Sequence, residues 1–221
     1  MGQSFSLTCK NHVKVVWRIW LHQQKKASDA FDSGLLSVRF WLRRGARRAS
    51  NVFSDSSPLE IPVIVINLKH RPDRLEEVKK DLSSVGFSDI RVFDAVDGPA
   101  SYPNLLRGHA ANLGCSLSHM GAVIENLGPG YPVAVCEDDN EFLESAEKIK
   151  SAISAFFSSP AYDVLCLSAR VRGPKVSVSR ELNLVSWAMA PSFYVIKPRA
   201  RKALVSAYRK SIRRLLRQKR R

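Results

Sequence analysis

A chain of 221 residues, 45% of them apolar, can bury a sizeable core, which excludes wholesale disorder and suits one domain with extensions or at most two small domains. The formal net charge of +15 is unevenly spread: +6 over residues 1–60, −3 over 61–196 and +12 over 197–221. A slightly acidic, enzyme-like middle is thus flanked by basic arms that suit anionic surfaces, and no run of about 18 apolar residues exists to cross a membrane.

Residues 1–57 form the first arm. Val13, Val16, Trp17, Trp20 and Leu21 recur at the spacing of one helical face, which predicts an amphipathic helix over 13–22. A second apolar cluster, Leu35 to Leu42, precedes Arg43, Arg44, Arg47 and Arg48, and residues 50–58 read as a linker. The core begins at Ile61. Ile61 to Leu68 is a nearly continuous apolar, β-branched run, as in a strand buried on both faces. Pro72 opens a helix that Leu75, Val78, Leu82 and Val85 continue and Gly86 ends. Ile90 to Val96 reads as a strand, Leu113 to Leu127 as a helix, and Pro132 to Cys136 as a strand running into Glu137-Asp138-Asp139. A helical stripe through Phe142, Ala146, Ile149, Ile153 and Phe156 follows, then strands at Tyr162 to Leu167 and Ser192 to Ile196. Pro198 opens a final helix through Leu204, Tyr208, Ile212 and Leu215. Alternating strands and helices predict an α/β fold with a mostly parallel sheet flanked by helices, whose ligands bind at the carboxyl ends of strands. The predicted units are a basic arm over 1–57, a domain over 58–205 and a basic helical tail over 206–221.

The four cysteines, Cys9, Cys115, Cys136 and Cys166, form no CxxC pair and no zinc-type spacing, and they read as reduced thiols. The N-terminus lacks the apolar run of a secretory signal, so the expected compartment is the cytoplasm or the cytoplasmic face of a membrane. Gly2 and Ser6 fit an N-myristoylation pattern, and Cys9 offers a second acylation position.

Glu137, Asp138 and Asp139 follow the apolar strand directly. Three adjacent carboxylates repel one another unless water or a cation separates them. At a strand end they suit Mg²⁺ or Mn²⁺, with diphosphate oxygens completing the coordination. They also suit a solvated turn in which Asp139 or Asn140 caps the next helix.

Three ordered segments carry a resemblance. They are Val65-Ile66-Asn67-Leu68-Lys69-His70-Arg71-Pro72-Asp73-Arg74 with Phe93-Asp94-Ala95-Val96-Asp97-Gly98 downstream; Gly114-Cys115-Ser116-Leu117-Ser118-His119; and Glu137-Asp138-Asp139. Together, over roughly residues 61–205, they resemble glycosyltransferase family 25, which includes bacterial lipooligosaccharide galactosyltransferases and collagen β-galactosyltransferases. The resemblance implies a GT-A-like (Rossmann-like) fold, a UDP-sugar donor such as UDP-galactose, a divalent metal (Mn²⁺ or Mg²⁺) on Glu137, Asp138 and Asp139, and inversion at the anomeric carbon. The acceptor would be a glycan, a lipid-linked sugar as in lipopolysaccharide biosynthesis, or a protein. Matched residue by residue, it implies donor-binding roles for Asn67, Arg71, Arg74, Asp97, Gly98, Ser118 and His119. Inversion needs a base within reach of the acceptor hydroxyl, for which Asp163, at a strand start, is a candidate; the other expected catalytic residues, Asp138 and Asp139, act through the metal.

The bland alternatives stay open at this stage. Arg74 can be surface charge, Asp97-Gly98 a turn, and His119 a structural residue sharing a helix face with Cys115 and Ser118. The chain can also be a non-catalytic glycosyltransferase-like module recruited to a membrane or another anionic partner by its arms. The absence of a zinc finger or an RNA-binding signature makes nucleic acid the lesser partner.

Overall fold

The computed structural model describes residues 15–17, 59–125 and 130–218. The core opens with β2 (Val63–Asn67), preceded in the chain by a short β1 (Val15–Trp17). Then come α1 (Pro72–Ser84), β3 (Ile90–Asp94), α2 (Gly98–Ser101), α3 (Arg107–Glu125) and β4 (Val133–Glu137). The chain ends with α4 (Ala146–Ser158), β5 (Val164–Ser177), β6 (Asn183–Ile196), a 3₁₀ turn at Pro198–Ala200, and α5 (Arg201–Gln218).

All five residues of β2 are buried, because helices cover both faces of the sheet. Alternate side chains separate into two cores. Val63 and Val65 pack with Val78 and Leu82 of α1 and with Ile149, Ile153 and Phe156 of α4. Ile64 and Ile66 pack on the opposite face with Ala122 and Val123 of α3 and with Leu204 and Tyr208 of α5. Each such aliphatic side chain contributes about 1.5–3 kcal/mol on burial. The result is an α/β/α sandwich.

The strand order is β1-β5-β6-β4-β2-β3. β2 pairs in parallel with both β3 and β4, but β6 runs antiparallel to β4 and to β5. The sheet is therefore mixed, not mostly parallel as the strand–helix alternation predicted. The reason is local: only residues 178–182 join β5 to β6. A link that short closes a hairpin, whereas a parallel return needs a crossover of about a dozen residues or more.

The N-terminal stripe also departs from expectation. Val15–Trp17, predicted as part of a helix, pairs as a strand, antiparallel to β5 with Val15 opposite Cys166 and Trp17 opposite Val164. Two valines and a tryptophan favour extended chain, and the edge of β5 supplies backbone partners. The rest of that stripe, the 43–48 arginines, Gly2 and Cys9 lie outside the described residues.

Helix α5 is continuous across residues 205 and 206, where the sequence suggested a boundary. Its inner side chains Leu204, Tyr208, Ile212 and Leu215 are buried. Among the described residues no helix is long and apolar enough to cross a membrane.

One half-buried cation has a measurable consequence. Lys197 Nζ donates to the carbonyls of Phe156 (2.8 Å) and Ser159 (2.5 Å) and lies 4.4 Å from the Phe156 ring centroid. Burial, with repulsion from Arg199, lowers its pKa to about 8 despite nearby Asp163. The unfolded lysine titrates near 10.5, so between those values the unfolded chain holds more protons and Lys197 makes stability rise with pH. Lys197→Met should remove that rise: the wild-type minus variant difference in urea midpoint should grow from pH 8 to pH 10.5.

Candidate active site

The parallel strands β3, β2 and β4 end on one rim of the sheet. From its carboxyl end β2 leads through α1 to β3 on one side, and β4 leads through α4 toward β5 on the other. Adjacent strand ends whose connections diverge leave a crevice, the usual ligand position in an open α/β sheet. A cleft of about 370 Å³ lies there. Its walls include Ile66 and Leu68 from the end of β2, Asp97 and Gly98 after β3, Cys115, Ser118 and His119 from α3, and Glu137, Asp138 and Asp139 from the end of β4.

Asn67 ties two of these strand ends together. It is 4% exposed, and both hydrogens of its amide are used. One goes to the Arg71 carbonyl (2.9 Å), closing the turn into α1, and the other to Asp138 Oδ2 (2.8 Å). Arg74 Nη1 stands 3.5 Å from Asp138 Oδ1 and 3.9 Å from Asp139 Oδ2. Asp138 is thus fixed between an amide and a guanidinium, while Asp139 is the outermost carboxylate at 57% side-chain exposure. Partial burial, with Glu137 and Asp138 alongside, pushes the Asp139 carboxyl up against the opposing pull of Arg74.

Glu137 points elsewhere. Its Oε1 accepts from His119 Nε2 at 2.7 Å, and Cys115 Sγ lies 3.9 Å away. His119 Nδ1 meets the Tyr194 hydroxyl at 2.9 Å, which meets the Tyr208 hydroxyl at 3.2 Å. Both tyrosine rings stack near the imidazole. Burial disfavours charge on this ring, but the neighbouring Cys115 and Glu137 favour it, and its pKa is raised above the usual histidine value. When protonated, this ring can donate from both nitrogens, to Glu137 and to Tyr194. Burial, above all, raises both phenols, so Tyr194 and Tyr208 stay protonated.

The wall opposite β4 is fastened through α3. The Ser118 hydroxyl accepts from the Val96 amide (2.8 Å) and donates to the Gly114 carbonyl (2.7 Å). Asp97 caps α2, its Oδ1 accepting from the Ala100 amide at 3.1 Å.

The structure therefore brings Asp97, Gly98, Ser118, His119, Glu137, Asp138 and Asp139 to one cleft, with Asn67 and Arg74 behind Asp138. It does not bring Arg71 or Asp163. The Arg71 guanidinium pairs with Asp73 two residues on, at 2.7 Å from Nη2, and this partner holds the Asp73 carboxyl down at about 2. Asp163 lies at the other end of the sheet: Val164, which follows it, is level with Ile196, and Ile196 is level with Val133, where β4 begins. Glu137 closes β4 four residues further on, ~13 Å along the strand. Asp163 is buried there against Arg199 Nε at 2.5 Å. As a structural ion pair it makes a clear prediction. Asp163→Asn should cost up to about 1 kcal/mol of stability, because Arg199 is half exposed and keeps the carbonyls of Pro160 and Tyr162, and should leave ligand binding at the cleft unchanged. Urea unfolding and ligand titration on the same variant measure the two effects.

Two residues of the site, Arg107 and Tyr208, carry no functional signal in the linear sequence, and Tyr194 carries only its place in a Tyr194-Val195-Ile196 stretch similar to the family's. Arg107, in the first turn of α3, is the one arginine or lysine among the cleft-lining residues. Tyr194 and Tyr208 look like ordinary core aromatics, and only the fold sets them against His119. Tyr208 repeats at helical spacing with Leu204 and Ile212, which signals burial but not a hydroxyl partner.

The donor chemistry of the rim divides. Cys115, His119 and Glu137 each bring one metal-ligating atom within 4.8 Å of the others. Both His119 nitrogens are already engaged, by Glu137 and by Tyr194, so an ion there would have to displace one of those hydrogen bonds. Asp138 and Asp139 are oxygen donors of the kind a hard divalent ion takes. The Cys136 and Cys166 thiols are buried in the sheet and burial raises both, so neither competes as a ligand.

The chain matches no protein-family model, and no curated protein sequence matches it significantly.

Proposed function

We propose that this chain is a metal-dependent glycosyltransferase of the family 25 type, which transfers a sugar, galactose in the first instance, from a UDP-sugar to a glycan, lipid-linked or protein acceptor with inversion. One observation carries the reading. The segments that resemble the family lie far apart in sequence, yet Asp97-Gly98, Ser118-His119 and Glu137-Asp138-Asp139 line a single cleft at a strand switch point. A parallel β3-β2-β4 unit flanked by an antiparallel β6 is also compatible with a GT-A-like arrangement.

In this reading Asp138 and Asp139 hold Mn²⁺ or Mg²⁺. Bound there, the ion supplies charge stabilisation for the departing nucleoside diphosphate. The chain's own residues prepare the place. Asn67 and Arg74 fix the rotamer of Asp138, so that little ordering is left to do on binding. His119 holds Glu137 Oε1 at 2.7 Å, which fixes the third carboxylate while leaving it close enough to Asp139 to repel its charge. Arg107 brings a guanidinium to the cleft wall, suited to a phosphate oxygen. Asp97 and Ser118 hold the opposite wall in shape. Asp163 takes no part.

The test is a melting series with UDP and UDP-galactose, with and without Mn²⁺, followed by turnover of UDP-galactose. A ligand that binds only the folded state raises the melting temperature, by about 2.7 kcal/mol of stability at a hundred times its Kd. A metal-dependent rise with UDP and release of UDP from UDP-galactose are expected. A rise without turnover across glycan, lipid-linked and protein acceptors favours a donor-binding module without catalysis. No rise with any nucleotide overturns the reading.

A further inference from the structure

Helix α5 has two faces of opposite character. Its inner face is packed on the sheet and α3, as described above. Its outer face carries Lys202, Arg209, Lys210, Arg213, Arg214 and Arg217, all exposed, and the helix contains no acidic residue. At 100° per residue these six fall within an arc of about 140°, and they extend along roughly 22 Å of straight helix. Leu216, 42% exposed, borders the same stripe. The chain continues into Lys219, Arg220 and Arg221.

We infer that the outer face of α5 is a docking surface for a bilayer rich in anionic phospholipid. Charge complementarity selects an anionic partner, and the layout selects a membrane. A straight, one-sided row of cations meets a flat sheet of headgroups all at once, whereas a curved duplex backbone would leave part of the row without phosphates. The stripe offers no aromatic ring for stacking bases, which single-stranded nucleic acid would use. An exposed leucine at its edge suits the headgroup–acyl boundary. The inner residues that anchor α5 are separate from the row, so the surface is rigid before contact and no helix has to fold on the membrane. This inference does not depend on the catalytic reading.

The experiment is vesicle co-sedimentation of the full chain at about 0.1 M salt, with phosphatidylcholine alone and with about a third phosphatidylserine. Each basic residue near such a surface contributes roughly fivefold to partitioning. The full chain should bind the anionic vesicles and not the neutral ones. Arg213→Gln, Arg214→Gln and Arg217→Gln combined should lower that binding on the order of 100-fold, with an unchanged circular dichroism spectrum. A matched triple elsewhere, Lys79→Gln, Lys80→Gln and Lys175→Gln, removes the same charge and should lower it only severalfold. Equal losses in the two triples would overturn the assignment to α5, because binding would then follow net charge alone. No preference for anionic vesicles, or tighter binding to an RNA duplex at the same salt, would overturn the membrane assignment.

Discussion

Asp139→Asn should make the ligand-free protein slightly more stable while removing metal-dependent nucleotide binding and lowering turnover on the order of 100-fold or more. The two effects share one cause. Partial burial above all, with Glu137 and Asp138 standing beside it, raises the Asp139 pKa. A carboxyl whose folded pKa exceeds its unfolded value opposes folding wherever it is ionised, and the opposition fades as pH falls through the raised value. Asparagine keeps the shape and removes the repulsion. The gain is a fraction of a kcal/mol, since the side chain is 57% exposed and water screens much of the interaction. The same substitution removes a ligand of the proposed ion. Asp138→Asn should cost as much function without the stability gain, because Asp138 is the acceptor for Asn67 and the partner of Arg74. Melting curves of the three proteins with and without Mn²⁺ and UDP separate these outcomes. A metal-dependent shift that survives in both variants would mean that the ion, if bound, sits elsewhere.

Much of the framework was legible because its signals are local. The apolar run at β2, Pro72 at the head of α1, and Gly86 at its end with φ of +99° are each decided by the residues themselves. So was the placement of the triplet, since a carboxylate cluster directly after a buried strand in an α/β chain must lie at a strand's carboxyl end. The outer part of the β5–β6 hairpin was not legible. Arg170, Lys175 and Ser177 give it no apolar run, and backbone pairing to β6 decides its conformation. The first turns of α3 were missed for a similar reason: Arg107, Gly108 and His109 are exposed and show no stripe. Asp163 illustrates a different failure. A carboxylate beside a strand looks alike at either end, and only the pairing of β5 through β6 to β4 reveals that it faces away from the cleft. Likewise the path from Glu137 through His119 to Tyr194 and Tyr208 joins β4, α3, β6 and α5, and only long-range packing creates it.

Gly98→Ala and Gly114→Ala should each destabilise the fold by about 3 kcal/mol or more, the largest loss expected from adding one methyl group. A Cβ on Gly98 would lie 1.8 Å from the Ala110 carbonyl oxygen. A Cβ on Gly114 would lie 2.6 Å from both the Gly98 nitrogen and the Val96 oxygen. All of these neighbours are backbone atoms, so no side chain can rotate away; the loop over 96–98 and α3 must separate. At about 2–4 °C per kcal/mol, each melting temperature should fall by roughly 6–12 °C. Both substitutions break one contact, so the double variant should lose less than the two single losses added together. Gly108→Ala is the internal control. It lies in the same helix with nothing within 4 Å of its added methyl, and there alanine should gain about 0.5–1 kcal/mol from helix propensity. The contact matters for function because it sets the wall that carries Asp97 against the wall that carries Asp138. In either variant, donor binding measured well below the melting transition should therefore weaken even though every polar side chain is retained. If Gly98→Ala instead melted and bound UDP like Gly108→Ala, the loop would not sit on α3 in solution, and the cleft described above would lack one of its sides.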